Sequence, residues 1–99
     1  MRSRRFTLAT LAIDGVGVPL KYGDLLVAAQ PGATHIDWEC VVMPFDPAPI
    51  DQGAYRIAAV TLEGRRLEGD AVLVRSVSGT HILRGAGALA GISEDEIEE

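Results

Sequence analysis

The sequence predicts an all-β domain, a small six- to eight-stranded barrel or sandwich built from two similar β-meander halves. Three observations lead there. Apolar residues alternate with polar ones along most of the 99 residues, with glycines at short intervals, the pattern of strands joined by tight turns. The chain also matches itself. Phe6–Gly15 (FTLATLAIDG) aligns with Tyr55–Gly64 (YRIAAVTLEG) at an offset of 49. Gly23-Asp24 and Thr34-His35-Ile36 then align with Gly69-Asp70 and Thr80-His81-Ile82 at an offset of 46. Third, the opening strand of each half changes phase. Phe6 and Leu8 share one face and Leu11 and Ile13 the other, as do Tyr55 and Ile57 against Val60 and Leu62. A period-two pattern that flips marks a β-bulge, here near Ala9 and Ala58, and strands bend this way where a sheet closes into a barrel. Burial on both faces is the other reading of the same pattern.

Phe6–Ile13 reads as a strand ended by Asp14-Gly15, where glycine supplies the positive φ of a tight hairpin. Val16–Tyr22 and Leu25–Ala29 follow as strands separated by Gly23-Asp24, and Pro31-Gly32 turns the chain. Thr34–Met43 is the longest strand candidate. Pro44, Pro47 and Pro49 lack ladder donors and make an extended connector. Tyr55–Glu63 opens the second half, and Glu63-Gly64 mirrors the first turn. Arg65–Glu68 and Ala71–Val77 are its next strands, and Ser78-Gly79 is a two-residue hairpin turn. His81–Gly85 is the last strand, after which Gly85, Gly87 and Gly91 loosen the chain. The domain is therefore single over residues 1–99, with half one at about 5–43, the connector at 44–53, half two at 54–92 and an acidic tail at 93–99.

The tails carry opposite charge: Arg2, Arg4 and Arg5 at the start, Glu94, Asp95, Glu96, Glu98 and Glu99 at the end. Solvated tails are one expectation. The other is that they attract each other, with Ser93 and Glu96 capping a short helix. Ser3-Arg4-Arg5-Phe6-Thr7-Leu8 resembles a twin-arginine export signal, but Asp14-Gly15 cuts the apolar stretch short and no small-residue cleavage site follows.

A net charge of −5 argues against nucleic acid as a partner, because its phosphates must be neutralised by Lys and Arg. No apolar run approaches a membrane span. Cys40 is the one cysteine, so no intrachain disulfide forms and a cytoplasmic location is expected.

No catalytic or cofactor motif is present, and no cofactor is predicted. The densest polar cluster is His35-Ile36-Asp37-Trp38-Glu39-Cys40. On a strand His35, Asp37 and Glu39 share one face, where a His beside carboxylates suits metal ligation or acid–base chemistry. A solvated outer face above buried Ile36, Trp38 and Cys40 explains the same pattern. His81, the repeat partner of His35, joins the candidates. Arg84 aligns with Trp38, on the face of Thr80 and Ile82, and is half-buried if that face is the inner one. There it needs an anion, and it suggests a small-acid pocket roofed by Trp38 and Tyr55. Arg75 raises the same question, although exposure to solvent or a partner also accounts for both arginines.

Three functions remain open at this level. The first is a non-catalytic binding or assembly module, homo-oligomeric through a sheet edge or face. The second is a small barrel binding an anionic or apolar ligand. The third is a small enzyme with a His/carboxylate site.

Overall fold

The computed structural model describes residues 2–29, 36–46, 49–93 and 96–97. Seven strands appear: β1 (Arg2–Ile13), β2 (Val16–Gly17), β3 (Leu20–Ala29), β4 (Asp37–Pro44), β5 (Gly53–Thr61), β6 (Arg66–Val77) and β7 (Thr80–Ala90). Their order is β2-β1-β3-β4-β7-β6-β5, and β5 pairs back onto β1. Six strands thus close a barrel rather than a sandwich, with β2 an appendage on β1. The ring consists of two antiparallel meanders, β1-β3-β4 and β5-β6-β7, joined along the β1–β5 and β4–β7 seams. No helix among the described residues is long and apolar enough to cross a membrane.

The turns follow from local chemistry. Asp14 and Gly15 have φ of 51° and 80°, and Ser78 and Gly79 have 52° and 83°. Two consecutive positive φ values make the two-residue hairpins that match strand twist. Asp14 also ties its turn to β5, its carboxylate accepting from the Arg56 amide at 2.7 Å.

The phase change in β1 is a bulge at Ala9. Pairing with β5 jumps from Leu8↔Thr61 to Thr10↔Val60, and Phe6, Leu8, Leu11 and Ile13 are all buried. Here β1 changes partner, pairing with β3 through Arg2–Thr7 and with β5 through Leu8–Ile13. The matching bulge expected at Ala58 does not form. β5 alternates regularly, burying Ile57, Ala59 and Thr61, while Leu62 is exposed. β5 pairs with β6 along Gly53–Val60 without a register shift, so the irregularity of the β1–β5 seam sits in β1 alone. The self-alignment therefore pairs Ile13, which is buried, with Leu62, which is not.

Three other boundaries differ from the sequence expectation. Gly23-Asp24 and Gly69-Asp70 do not interrupt strands; they lie inside β3 and β6. The break falls instead before Leu20, at Val18-Pro19. Glycine-rich 85–90 continues β7 rather than loosening it. The expected Pro31-Gly32 turn lies outside the described residues.

Trp38 explains the glycines. The β6–β7 register runs Gly69↔Leu89 and then Ala71↔Gly85, so Ala86, Gly87 and Ala88 bulge out of β7. The indole of Trp38 lies against the gap. A Cβ on Gly85 would overlap the Trp38 ring, and one on Gly69 would lie 2.7 Å from Cζ2. Trp38 Nε1 donates to the Gly87 carbonyl at 2.9 Å. The buried side chains Leu25, Cys40, Val42, Leu67, Ala71 and Leu83 fill the interior around it.

Glu96 and Ile97 pack back onto the barrel. Ile97 is buried in the core cluster, a contribution of roughly 1.5–3 kcal/mol for such a side chain. Glu96 pairs with Arg65, and its backbone carbonyl accepts from Arg4 at 3.4 Å. The Arg65 hydrogen bond and the Ser93 amide hold the Glu96 carboxyl below the usual carboxylate range. Arg4 also stacks over the Phe6 ring, 4.6 Å from its centre. Arg4 and Glu96 thus meet within one chain, and Ser93 and Glu96 exchange hydrogen bonds, the Glu96 amide to the Ser93 carbonyl and the Ser93 amide to the Glu96 carboxylate.

Replacing Gly85 by Ala is expected to displace the indole and cost about 1–3 kcal/mol, the usual range for overpacking. Chemical denaturation measures the loss. A red-shifted emission from Trp38, the only tryptophan, reports the displacement, and unchanged emission and stability would contradict the seating described here.

Candidate functional site

The barrel wall separates the polar residues that the sequence grouped. On β4 the side chains of Trp38, Cys40 and Val42 are buried, while Asp37 is exposed and Glu39 half-buried on the outer surface. His81 faces the interior at 2% exposure. It therefore does not share a face with Asp37 and Glu39, and His35 lies outside the described residues. No group of three or more His, Cys, Asp or Glu that could hold a metal ion occurs among the described residues.

Arg84 is on the outside, not the inside. Leu83 and His81 are the buried residues of β7, and the register sets Leu83 opposite Cys40 and Arg84 opposite Glu39. Aligning Arg84 with Trp38 misplaced it by one residue, which in a strand means the opposite face. Arg75 is likewise exposed. Arg84 and Trp38 do line a common depression of about 340 Å3, together with Leu26, Asp37 and Glu39. Tyr55 is not among its lining residues, and its hydroxyl donates instead to the Asp51 carbonyl. Two carboxylates against one guanidinium make this depression a poor receptor for an acid.

Sequence reasoning missed one polar pair. Ser76 Oγ lies 2.7 Å from His81 Nδ1. The signal was available, because a two-residue turn at Ser78-Gly79 pairs Val77 with Thr80 and then Ser76 with His81. A hydroxyl on an imidazole is the first half of a nucleophile–base arrangement. Among the described residues the second half is not seen: His81 Nε2 is buried without a hydrogen-bond partner there.

Cys40 is fully buried. Burial, with a smaller contribution from the Asp24 carboxylate, pushes its thiol up to about 12. Only the thiolate is a nucleophile, so Cys40 is a packing residue.

The outer wall of β3, β4, β7 and β6 stands out. Tyr22, Leu26, Val72, Val74 and Val77 are exposed there. Between them lie half-buried Val41, Met43 and Ile82. The ladder joins these residues across strands, Tyr22↔Met43 and Val41↔Ile82. Asp24, Glu39, Arg75 and Arg84 interrupt these apolar residues, and β3 and β6 lie on opposite sides of the ring, so the exposed apolar side chains fall into separate groups, of which Val72, Val74 and Val77 on β6 are one.

The fold and surface thus define a closed six-stranded antiparallel β-barrel whose outer surface carries both charged and exposed apolar side chains. No family model matches the sequence, and no match was found among curated proteins or solved structures.

Cys40 is expected to resist thiol reagents at neutral pH in the folded protein and to react fully in denaturant. Its alkaline effect has a definite sign. Between the ordinary value of 9.0 and about 12 the unfolded chain loses the thiol proton while the folded chain keeps it. Stability therefore falls as pH rises through that window. Denaturation of Cys40→Ala should show a shallower alkaline decline than the wild type; equal slopes would refute the assignment.

Proposed function

We propose that this barrel is a non-catalytic binding or assembly module that works as a homo-oligomer through a face of its outer surface. The observation that carries this reading is the exposure of apolar side chains on the outside of the barrel, Val72, Val74 and Val77 on β6 and Tyr22 and Leu26 on β3. Water contact with these groups is unfavourable by roughly 25 cal/mol per Å2, which a partner surface removes. The interior supports the same view from the other side. A six-stranded ring is narrow enough for its own side chains to fill, and here they do, so recognition falls to the surface. A reduced, buried Cys40 fits operation in the cytoplasm.

Sedimentation velocity of the full chain between about 1 μM and 1 mM, a range covering weak to moderate association, tests the reading. Concentration-dependent conversion to a dimer or a defined higher oligomer is the expected result. A monomer throughout the range would remove the homo-oligomeric reading.

A further inference from the structure

We infer that Arg4, Phe6 and Arg65 form a recognition site for a short segment of a partner protein that carries a carboxylate beside an aliphatic side chain, and that the chain's own Glu96 and Ile97 hold this site as an internal competitor. The inference does not rest on the homo-oligomeric reading.

The barrel builds the site without help from the tail. Arg4 and Phe6 are alternate residues of β1 and share a face. Arg65 comes from the connection between β5 and β6, and its backbone is fixed twice to Thr61. The Thr61 amide donates to the Arg65 carbonyl at 2.9 Å, and the Thr61 hydroxyl accepts from the Arg65 amide at 3.1 Å. The Leu62 amide ties the same connection to β1, donating to the Thr7 carbonyl at 3.0 Å. The two guanidinium carbons lie 4.6 and 5.7 Å from the centre of the Phe6 ring, an arrangement in which the ring attracts both charges. Each arginine side chain is only about a third exposed, 33% for Arg4 and 31% for Arg65. A carboxylate therefore meets two cations already in position and partly desolvated, and a preorganised site loses little on binding. In a chain of net charge −5, two guanidinia gathered on one ring mark a place where an acidic segment is attracted.

The tail fills the site as such a segment would. The Glu96 carboxylate pairs with Arg65 at 2.5 Å, and the Glu96 carbonyl accepts from Arg4 at 3.4 Å. The next side chain, Ile97, is 2% exposed. The tail is nonetheless held lightly. β7 ends at Ala90, and Gly91 turns the chain at a φ of 103°. Beyond it, among the described residues, the one backbone–backbone hydrogen bond lies within the tail, from the Glu96 amide to the Ser93 carbonyl. No ladder has to break for the tail to leave, so release is a local opening with the ring intact. A tethered tail competes at an effective concentration of the order of millimolar. A partner segment displaces it by making more contacts than these two residues make, and its apparent affinity is lowered by the fraction of chains in which the tail is seated.

The test is a titration of full-length chains into a fluorophore-labelled peptide of residues 91–99, up to about 1 mM, read by anisotropy. Ile97→Asp removes the aliphatic anchor of the tail, and Glu96→Arg sets a guanidinium against Arg65. Both chains are expected to bind the peptide at least about tenfold more tightly than the wild type, whose own tail occupies the site. Adding Arg65→Glu to the Ile97→Asp chain should weaken binding at least about tenfold, and a peptide carrying Glu96→Arg should restore it. That exchange reports contact between the peptide and Arg65, which a purely structural role for the arginine would not produce. Circular dichroism confirms that the barrel persists. Equal binding by the wild type and the released chains, no binding by either released chain, or binding indifferent to Arg65→Glu would each overturn the inference. Loss of the barrel in both released chains would overturn it as well, by making the tail part of the fold. Sedimentation velocity separates the remaining occupant. Wild-type self-association that vanishes in Ile97→Asp would assign the site to the tail of a second copy and overturn the inference. A monomeric wild type with peptide binding as expected would overturn the homo-oligomeric reading alone.

Discussion

The seating of the Trp38 indole against Gly69 and Gly85 is the contact on which closure of this barrel depends. The β4–β7 seam holds four register pairs, from Glu39↔Arg84 to Val42↔His81, whereas β3–β4 holds eight. Beyond Arg84 the ladder gives out, and the bulge in β7 opens β6 from β7 at the same level. A gap there would leave backbone carbonyls without donors, which is costly once buried. Trp38 resolves both problems. Its ring fills the opening, and its N–H takes the Gly87 carbonyl. A tryptophan is large enough to do this only if the opposing positions carry no side chain, so one residue on β4 dictates two glycines on two other strands.

Closure divides the molecule into two surfaces with different roles. The interior is apolar and filled, and its two buried polar side chains among the described residues, Thr61 and His81, are partnered in part: Thr61 accepts from the Arg65 amide and His81 contacts Ser76. The outside carries the charges, the depressions and the unpartnered apolar groups. Strand alternation imposes the separation, since neighbours in sequence cannot share a face. This is why Asp37 and Glu39 stand apart from His81 although the ladder brings β4 and β7 together.

Features that arise within a few residues were legible in the sequence. Asp14-Gly15 and Ser78-Gly79 carry the residues that tolerate positive φ, and both form hairpins. The bulge at Ala9 was legible because the apolar pairs on either side of it change parity. The same reasoning failed at Ala58, where Val60 and Leu62 imitate buried residues but face outward; apolar content alone does not say which face a strand buries. Glycines 85 and 91 look loose in the sequence because their purpose lies elsewhere: Trp38, nearly fifty positions away, for Gly85, and the Arg66 carbonyl for Gly91. Of the candidate site, the solvent-facing reading of Asp37 and Glu39 could be read from alternation. The placement of Arg84 was lost by carrying a repeat alignment across a strand whose phase it did not share. Which apolar side chains face outward was illegible because closure and the bulge in β6 between Leu73 and Arg75 set it, not local pattern.

The two-meander topology has a kinetic consequence. Within each meander, strands adjacent in the ring are also near in sequence, and their hairpins close over short loops. The two seams join β1 to β5 and β4 to β7, across about half the chain, and loop closure must come before those contacts repay it. The meanders are therefore expected to form early as open sheets and to find each other late. During that interval each presents two bare edges, and a bare edge accepts any strand of the right pattern. The neighbour most able to supply one is another copy of the same chain, so the slow step in making the barrel is also the one in which crowding by its own kind matters most.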